Sequence, residues 1–349
     1  MPKSVVKKAL EGYQPYVPGE QPPDGEGWVK LKTNESPLPP SPRVIAAIKE
    51  AANESLRLYP SPTAAPARNA IAARFGLEPA QVTVGNGGDE LIEMCFRAFA
   101  GAGDRVAFPT PTYPLLDPLC RMHEAVASRH PTELAWELPA SLSADPAPLK
   151  FIVNPNSPTG ALFARAAVEA AVAASSGVVV IDEAYVDFAP SSCLDLLQSH
   201  DNVLLLRTFS KSYGLAGMRI GFALGSPDLI EALDSVKDSY NLDRLAIAAA
   251  VAAIEDQDHH LRLVGEVVRN RGELSAALVG MGFEIVPSAT NFVFVKPPKP
   301  AAGVAAALRE RKILVRHYDR EPIAGWLRIT IGTKEQHQEL LAALKEILR

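Results

Sequence analysis

Residues 203–222 read VLLLRTFSKSYGLAGMRIGF. The run from Val203 to Arg207 is short and almost wholly apolar, the pattern of a strand buried on both faces. A polar turn with Ser210 and Lys211 follows, then Gly214, Gly217 and Gly221, with Arg219 between the last two. Upstream, VVVIDEAY (178–185) repeats the design: Val178 to Ile181 is apolar and runs into Asp182. An acid at the end of one buried-type strand and a lysine just past the next are costly near a core, so each calls for a partner.

The same strand texture recurs at Gln81 to Val84, Arg105 to Phe108 and Lys150 to Val153. Helical patterns lie between, an apolar one from Leu91 to Phe99 and an alanine-rich one around 164–174. Apolar runs alternating with helices predict an α/β fold whose large domain has a mainly parallel sheet covered by helices on both faces. Ligands of such sheets gather at the carboxyl ends of the strands. Here those ends carry GNGGDE (85–90), PTPTYP (109–114), NPNSPTG (154–160) and the Lys211 turn.

Residues 1–43 are rich in proline and glycine and read as an extended surface arm. A helix begins near its end, at Ser41, an N-cap candidate with Pro42 at the first helical position. After residue 226 the texture changes. Helical patterns cover roughly 227–256 and 258–281; strand-like segments then alternate with helices to a terminal amphipathic helix at 334–348, the makings of a smaller α+β domain. The expected division is an arm (1–43), a large cofactor-binding domain (44–245) and a small C-terminal domain (246–349) packed with part of the N-terminal segment.

A chain of 349 residues is too long for one small core, which agrees with that division. The net charge of −5 leaves no electrostatic footprint for nucleic acid or an anionic membrane. Three isolated cysteines fit neither a disulfide framework nor a zinc site, and no apolar run is long enough to span a bilayer. A soluble cytoplasmic protein is the expectation. Asp256, His259 and His260 have helical spacing that could suit a metal but read as a solvated helix end, so no metal is expected.

Lysine becomes a nucleophile only when its amine is deprotonated or committed to a Schiff base. Lys211 lies beside Thr208 and Ser210 and eight residues before Arg219, and hydroxyls with an arginine are what a phosphate needs. The alternative is a solvated loop lysine. Gly87 and Gly88 present N–H groups at a helix start, where an anion is also favoured, although Asp89 could simply cap that helix. A carboxylate at Asp182 can hold a protonated ring nitrogen, and Tyr185 can donate to a ring oxygen. Tyr113 offers a flat face for stacking or serves the turn alone. Arg328, inside the apolar WLRITIG (326–332), needs an anion or an internal salt bridge. Glu183 makes no acid–base dyad with Asp182, because neighbours on an extended segment point apart.

Together these segments resemble the fold-type I enzymes dependent on pyridoxal phosphate and, within them, the histidinol-phosphate aminotransferase family, whose fold is that of aspartate aminotransferase. The likeness runs from PYVPG (15–19) and LKTNESPLPPSP (31–42) through LYPSP, NPNSPTG, IDEAYVDF, TFSKSYGLAGMRIGF and TNFVFV to LRITIG. It implies that Lys211 holds the cofactor covalently and shuttles the proton. Asp182 would pair with the pyridinium nitrogen, Tyr185 bond the phenolic oxygen and Tyr113 stack on the ring. Gly88, Asp89, Thr208, Ser210 and Arg219 would hold the phosphate. Tyr59 would reach it from a partner subunit, hence a homodimer with shared sites. Arg316 and Arg328 would receive the carboxylate and phosphate of the substrates, with Tyr16 and Asn34 close by.

One departure stands out. Relatives commonly read NPNNPTG, and here the position before PTG is Ser157, preceded by Asn156. Either Asn156 takes the contact to the phenolic oxygen or Ser157 substitutes for it. The resemblance implies transfer of an amino group from histidinol phosphate to 2-oxoglutarate. An aromatic amino-acid aminotransferase and a threonine-phosphate decarboxylase are the rivals on this scaffold. A ligand-sensing module would need an attached DNA-binding domain, for which the arm before residue 43 is too short.

Overall fold

A computed structural model describes residues 10, 20–22, 27–132 and 136–349. The first strand, β1 (Val29–Leu31), belongs to the smaller of two sheets. The larger sheet takes the next seven: β2 (Val82–Gly85), β3 (Arg105–Thr110), β4 (Val126–Pro131), β5 (Leu149–Val153), β6 (Val178–Asp182), β7 (Val203–Thr208) and β8 (Gly221–Gly225). Their order is β2-β8-β7-β6-β5-β3-β4, and the five from β7 to β4 run parallel. Only β8 opposes them, pairing antiparallel with both β7 and β2. The central strands β5 and β7 are buried along their whole length, as their mostly apolar sequences lead one to expect. The buried exceptions find partners, Lys150 donating to the Ser143 carbonyl and Arg207 pairing with Glu183.

Helices cover both faces. On one side α1 (Pro42–Ala51), α2 (Ala65–Phe75), α5 (Ala140–Ser143), α6 (Arg165–Ala173) and α8 (Arg244–Glu255) share a core with the sheet. On the other lie α3 (Gly88–Phe99), α4 (Leu116–Met122) and α7 (Pro227–Val236). Ser41 caps α1 by accepting the Arg43 N–H, with Pro42 at the first position. The helical pattern at 227–256 is two helices. The polar stretch 237–243, KDSYNLD, breaks it: Asp243 accepts the Leu245 and Ala246 N–H groups to start α8, and the Asn241 amide donates to the Val84 carbonyl at 3.0 Å. Beyond the boundary expected at 245, α8 buries Ala246, Ala249, Ala250 and Ala253 in the same core as α1 and α2. Alanine on that face allows the close approach.

The smaller sheet has the order β1-β11-β12-β10-β9, built from β9 (Glu284–Val286), β10 (Phe292–Lys296), β11 (Ile313–His317) and β12 (Leu327–Thr330). All its pairs are antiparallel except β1 with β11. Thus residues 29–31, expected within a surface arm, are an edge strand, and Leu31 is buried. The helices α9 (Gln257–Gly280), α10 (Ala301–Glu310) and α11 (Lys334–Ile347) pack on this sheet. Tyr185 and Phe188, just after β6, belong to the same core, and Arg271 on α9 donates to the carbonyls of Phe188 and Thr290 at 3.1 and 2.7 Å. The segment after Asp182 is therefore a wall common to both sheets. Among the described residues, no helix is long and apolar enough to cross a membrane.

Candidate active site

Thr208 and Gly221 form a pair where β7 meets β8, and residues 209–220 loop beyond the end of the sheet. The Phe209 N–H donates to the Ile220 carbonyl at 3.0 Å, and the buried Phe209 ring packs on Tyr213 and Phe222. Anchored in this way, the loop sets Lys211 against a cavity of about 250 Å³ at the carboxyl ends of β5, β6 and β7.

One end of the cavity is built to receive an anion. Gly88 opens α3, and Gly87 before it has φ +85°, the left-handed region that glycine tolerates. A Cβ on Gly87 would lie 2.6 Å from Arg219 Nη2, and one on Gly221 would lie 2.8 Å from the Gly87 carbonyl carbon and 2.9 Å from Gly88 N. These two glycines let the Arg219 guanidinium lie directly against the first turn of α3, where the helix dipole also favours negative charge. The hydroxyls of Thr208 and Ser210 sit 3.0 Å apart on the same side, and the Ser210 N–H donates to Thr208 Oγ1. Asp89 faces the cavity too, where its carboxylate accepts from the Tyr113 hydroxyl at 2.8 Å and from Arg219 at 3.3 Å.

Asp182 closes the other end. Its Oδ1 accepts the Ala184 N–H at 2.9 Å. Burial raises its pKa to about 6, with the Ala184 N–H and Lys211 opposing and Asp89 and Glu183 adding to the rise. Glu183 points the other way, into a buried ion pair with Arg207 at 2.8 Å and a bond from the Ser192 hydroxyl. Lys211 Nζ lies 3.5 Å from the Thr33 carbonyl and 5.8 Å from the centre of the Tyr185 ring. Burial lowers its pKa to about 8, assisted by Arg328 and Arg219 and resisted by Glu35 and Asp89. A lysine in that range keeps a usable fraction of free amine near neutral pH.

Tyr185 accepts a bond from the Asn34 amide at 2.9 Å, and burial raises its pKa. Asn34 has φ +55° and is clamped from three directions. Its N–H donates to Thr330 Oγ1, its Oδ1 accepts from the same hydroxyl, and its carbonyl accepts from the Asn291 amide. Such over-determined strain is found where a side chain must be held in place. Asn156 and Ser157 separate clearly. The Asn156 oxygen accepts from the Thr159 N–H and hydroxyl and its amide donates to the Pro111 carbonyl, so it is spent inside its own loop. Ser157 faces the cavity.

A second cavity of about 120 Å³ opens beside the first, and both are bordered by Thr33, Tyr113, Ser157, Tyr185 and Lys211. Arg316 and Arg328 line it together with Lys32 and Tyr318. Arg328 donates to the Lys32 carbonyl at 2.9 Å and to Ser157 Oγ at 3.4 Å, and its buried Nε has no hydrogen-bond partner among the described residues. Tyr59 stands apart, 79% exposed and stacked on Tyr240. Tyr16 lies outside the described residues. Sequence reasoning missed Lys32, Thr33 and Tyr318; the first two immediately precede Asn34 and the third follows Arg316 by two residues, one strand alternation away.

The chain matches the family model for aminotransferase class I and II over residues 26–344. It is 47% identical to a histidinol-phosphate aminotransferase of Aromatoleum aromaticum, covering 97% of this chain and 98% of the relative. This chain belongs to the histidinol-phosphate aminotransferase family. A solved histidinol-phosphate aminotransferase of Sinorhizobium meliloti, in complex with pyridoxal-5'-phosphate, superposes with a TM-score of 0.86 at 30% identity, covering 92% of this chain and 91% of that one. An aspartate aminotransferase of Thermotoga maritima shares the fold, with a TM-score of 0.83 at 21% identity over 93% of this chain and 92% of its own. The aminotransferase match begins before β1 and ends inside α11, so both cavities lie within it.

Proposed function

We propose that the protein is a pyridoxal-phosphate-dependent aminotransferase that converts histidinol phosphate and 2-oxoglutarate to imidazole acetol phosphate and glutamate, a step of histidine biosynthesis. The observation that carries this reading is one loop that brings Lys211, Ser210 and Arg219 together, opposite an Asp182 with no ion-pair partner among the described residues. Full-length likeness to curated histidinol-phosphate aminotransferases supplies the substrate.

The donor set fits the cofactor. Arg219, the hydroxyls of Thr208 and Ser210 and the N–H groups at the start of α3 would hold its phosphate. Gly87 and Gly221 keep that cradle free of side chains. Asp182 would hold the ring nitrogen, Tyr185 and Ser157 would serve the phenolic oxygen, and Tyr113 would lie along the ring. When bound, pyridoxal phosphate supplies a carbonyl that condenses with amines and a ring that accepts electrons from the substrate's Cα.

Lys211 Nζ is the base that takes the proton from Cα, a task suited to an amine whose pKa burial has lowered to about 8. Asp182 is raised to about 6 while it lacks a cation, and becomes a firm anion when a protonated nitrogen is beside it. Asn34 holds the Tyr185 hydroxyl in place, and Arg316 and Arg328 orient the anionic end of the substrate. Two copies would pair through the face carrying Tyr59, where Leu56 and Leu58 are also about half exposed, with Tyr59 completing the partner's phosphate site. The enzyme would act in the cytoplasm.

The test is a purified-enzyme assay of histidinol phosphate, phenylalanine and phosphothreonine, each against 2-oxoglutarate. Highest kcat/KM with histidinol phosphate is expected. Preference for phenylalanine, or release of carbon dioxide from phosphothreonine without an oxo acid, would overturn the assignment.

A further inference from the structure

Across β1, β11 and β12 the backbone lines up three cations. Leu31 pairs with Val315 in the parallel register of β1 and β11, so Lys32, the next residue, falls beside Arg316. Arg316 is in turn the direct antiparallel partner of Arg328. Partners on adjacent strands project to the same face, so the three side chains form one rung, and all border the 120 Å³ cavity. Like charges set side by side across a sheet destabilise it unless an anion lies among them.

The described residues supply no such anion. Neither the Lys32 ammonium nor the Arg316 guanidinium has a carboxylate within ion-pair distance. Among the described residues, the acid whose charge acts on Lys32 is Glu20, and Glu20 is engaged by Arg309 at 2.7 Å. Lys32 is only 6% exposed. Burial, then the neighbouring Arg316 and Arg309, lower its pKa against the opposing pull of Glu20, so its charge is held at a cost. Among the described residues, Arg328 leaves its Nε unpaired in the same place. Arg316 rests 5.4 Å from the Tyr318 ring centre, and Arg328 rests 5.2 Å from that of Phe292, contacts that hold the forks without neutralising them.

We propose that Lys32 is a third cation for the substrate's phosphate, and that the rung Lys32–Arg316–Arg328 selects a dianionic phosphate monoester over a singly charged carboxylate. This rests on the reading of the protein as an aminotransferase of a phosphorylated donor. A carboxylate offers one charge and two oxygens. A phosphate monoester carries about −1.5 to −2 and three acceptor oxygens, enough to meet two guanidinium forks and a compact ammonium together.

The test uses the full-length enzyme with its cofactor, its Lys32→Met variant, which keeps the apolar stem, and its Lys32→Arg variant, which keeps the charge. The readouts are kcat and KM for histidinol phosphate, and competitive inhibition constants for inorganic phosphate and for 3-phenylpropanoate, a monocarboxylate. Loss of one charge-assisted contact should raise KM and the phosphate constant about tenfold or more in Lys32→Met. The kcat should stay within about twofold and the carboxylate constant within about threefold. Lys32→Arg should recover most of the loss.

Equal weakening of phosphate and carboxylate, a fall in kcat alone, or no change in Lys32→Met would each overturn the proposal. The functional reading fails separately, as absence of turnover with histidinol phosphate in the unaltered enzyme. Selective loss of phosphate inhibition in Lys32→Met would then still support the rung.

Discussion

Asparagine at position 182 keeps the shape of the carboxyl group and its bond from the Ala184 N–H while removing the charge that burial penalises. In the cofactor-free protein that penalty is a stability term. A carboxyl that ordinarily titrates near 3.8 and is raised to about 6 costs the folded state up to about 3 kcal/mol at pH 7. Because the folded value lies above the unfolded one, the cost is absent below about pH 4, grows between about pH 4 and 6, and is complete above that. Cofactor-free Asp182→Asn should therefore be more stable than the unaltered protein at pH 7, with the gap closing as pH falls toward 4.

Activity should move the other way. A protonated ring nitrogen left without its buried anion loses about 3–5 kcal/mol, roughly 10²- to 10³-fold or more in kcat. Urea unfolding at two pH values and steady-state turnover measure both effects. A less stable Asp182→Asn at pH 7, or one with near-normal turnover, would refute the reasoning that this acid is kept at a cost for its partner.

Three further outcomes follow from the same geometry. Gly221→Ala puts a methyl 2.8 Å from the backbone of Gly87, pushing α3 from Arg219. It should destabilise the fold by about 1–3 kcal/mol and weaken cofactor binding about tenfold, read by absorbance titration. Arg207→Met strands Glu183 without its cation and should cost about 3–5 kcal/mol in urea unfolding, partly restored by adding Glu183→Gln. Lys211→Ala should abolish turnover and the visible absorbance of the bound cofactor while leaving the unfolding midpoint close to normal.

The parallel core was legible because the middles of β5, β6 and β7 are buried on both faces and carry runs of apolar residues, with charges mostly at their ends. The edge strand β4, VASRHP, is half exposed and polar, so nothing in its composition marks a strand. The β8 segment, GFALG, reads as a glycine-rich turn until its pairing with β7 and β2 shows that Gly221 must be small. The helix break at 237–243 carries a local signal in the Asp243 N-cap, but the bond from Asn241 to Val84 that ties it to the sheet is not visible in the sequence.

In the site, Lys211 and Asp182 were legible because charged groups beside buried strands need a reason. The choice between Asn156 and Ser157 was not, since it turns on which way a loop spends its hydrogen bonds. Lys32 stayed hidden for a similar reason: its neighbours Arg316 and Arg328 lie far along the chain and meet it only through sheet order.

The most direct measurement of the central claim is to reduce the enzyme carrying pyridoxal phosphate with borohydride, digest it and locate the added pyridoxyl mass among its peptides. The label should fall on Lys211 and on no other lysine. Label on a different lysine, or none in an enzyme that still turns over, would contradict it.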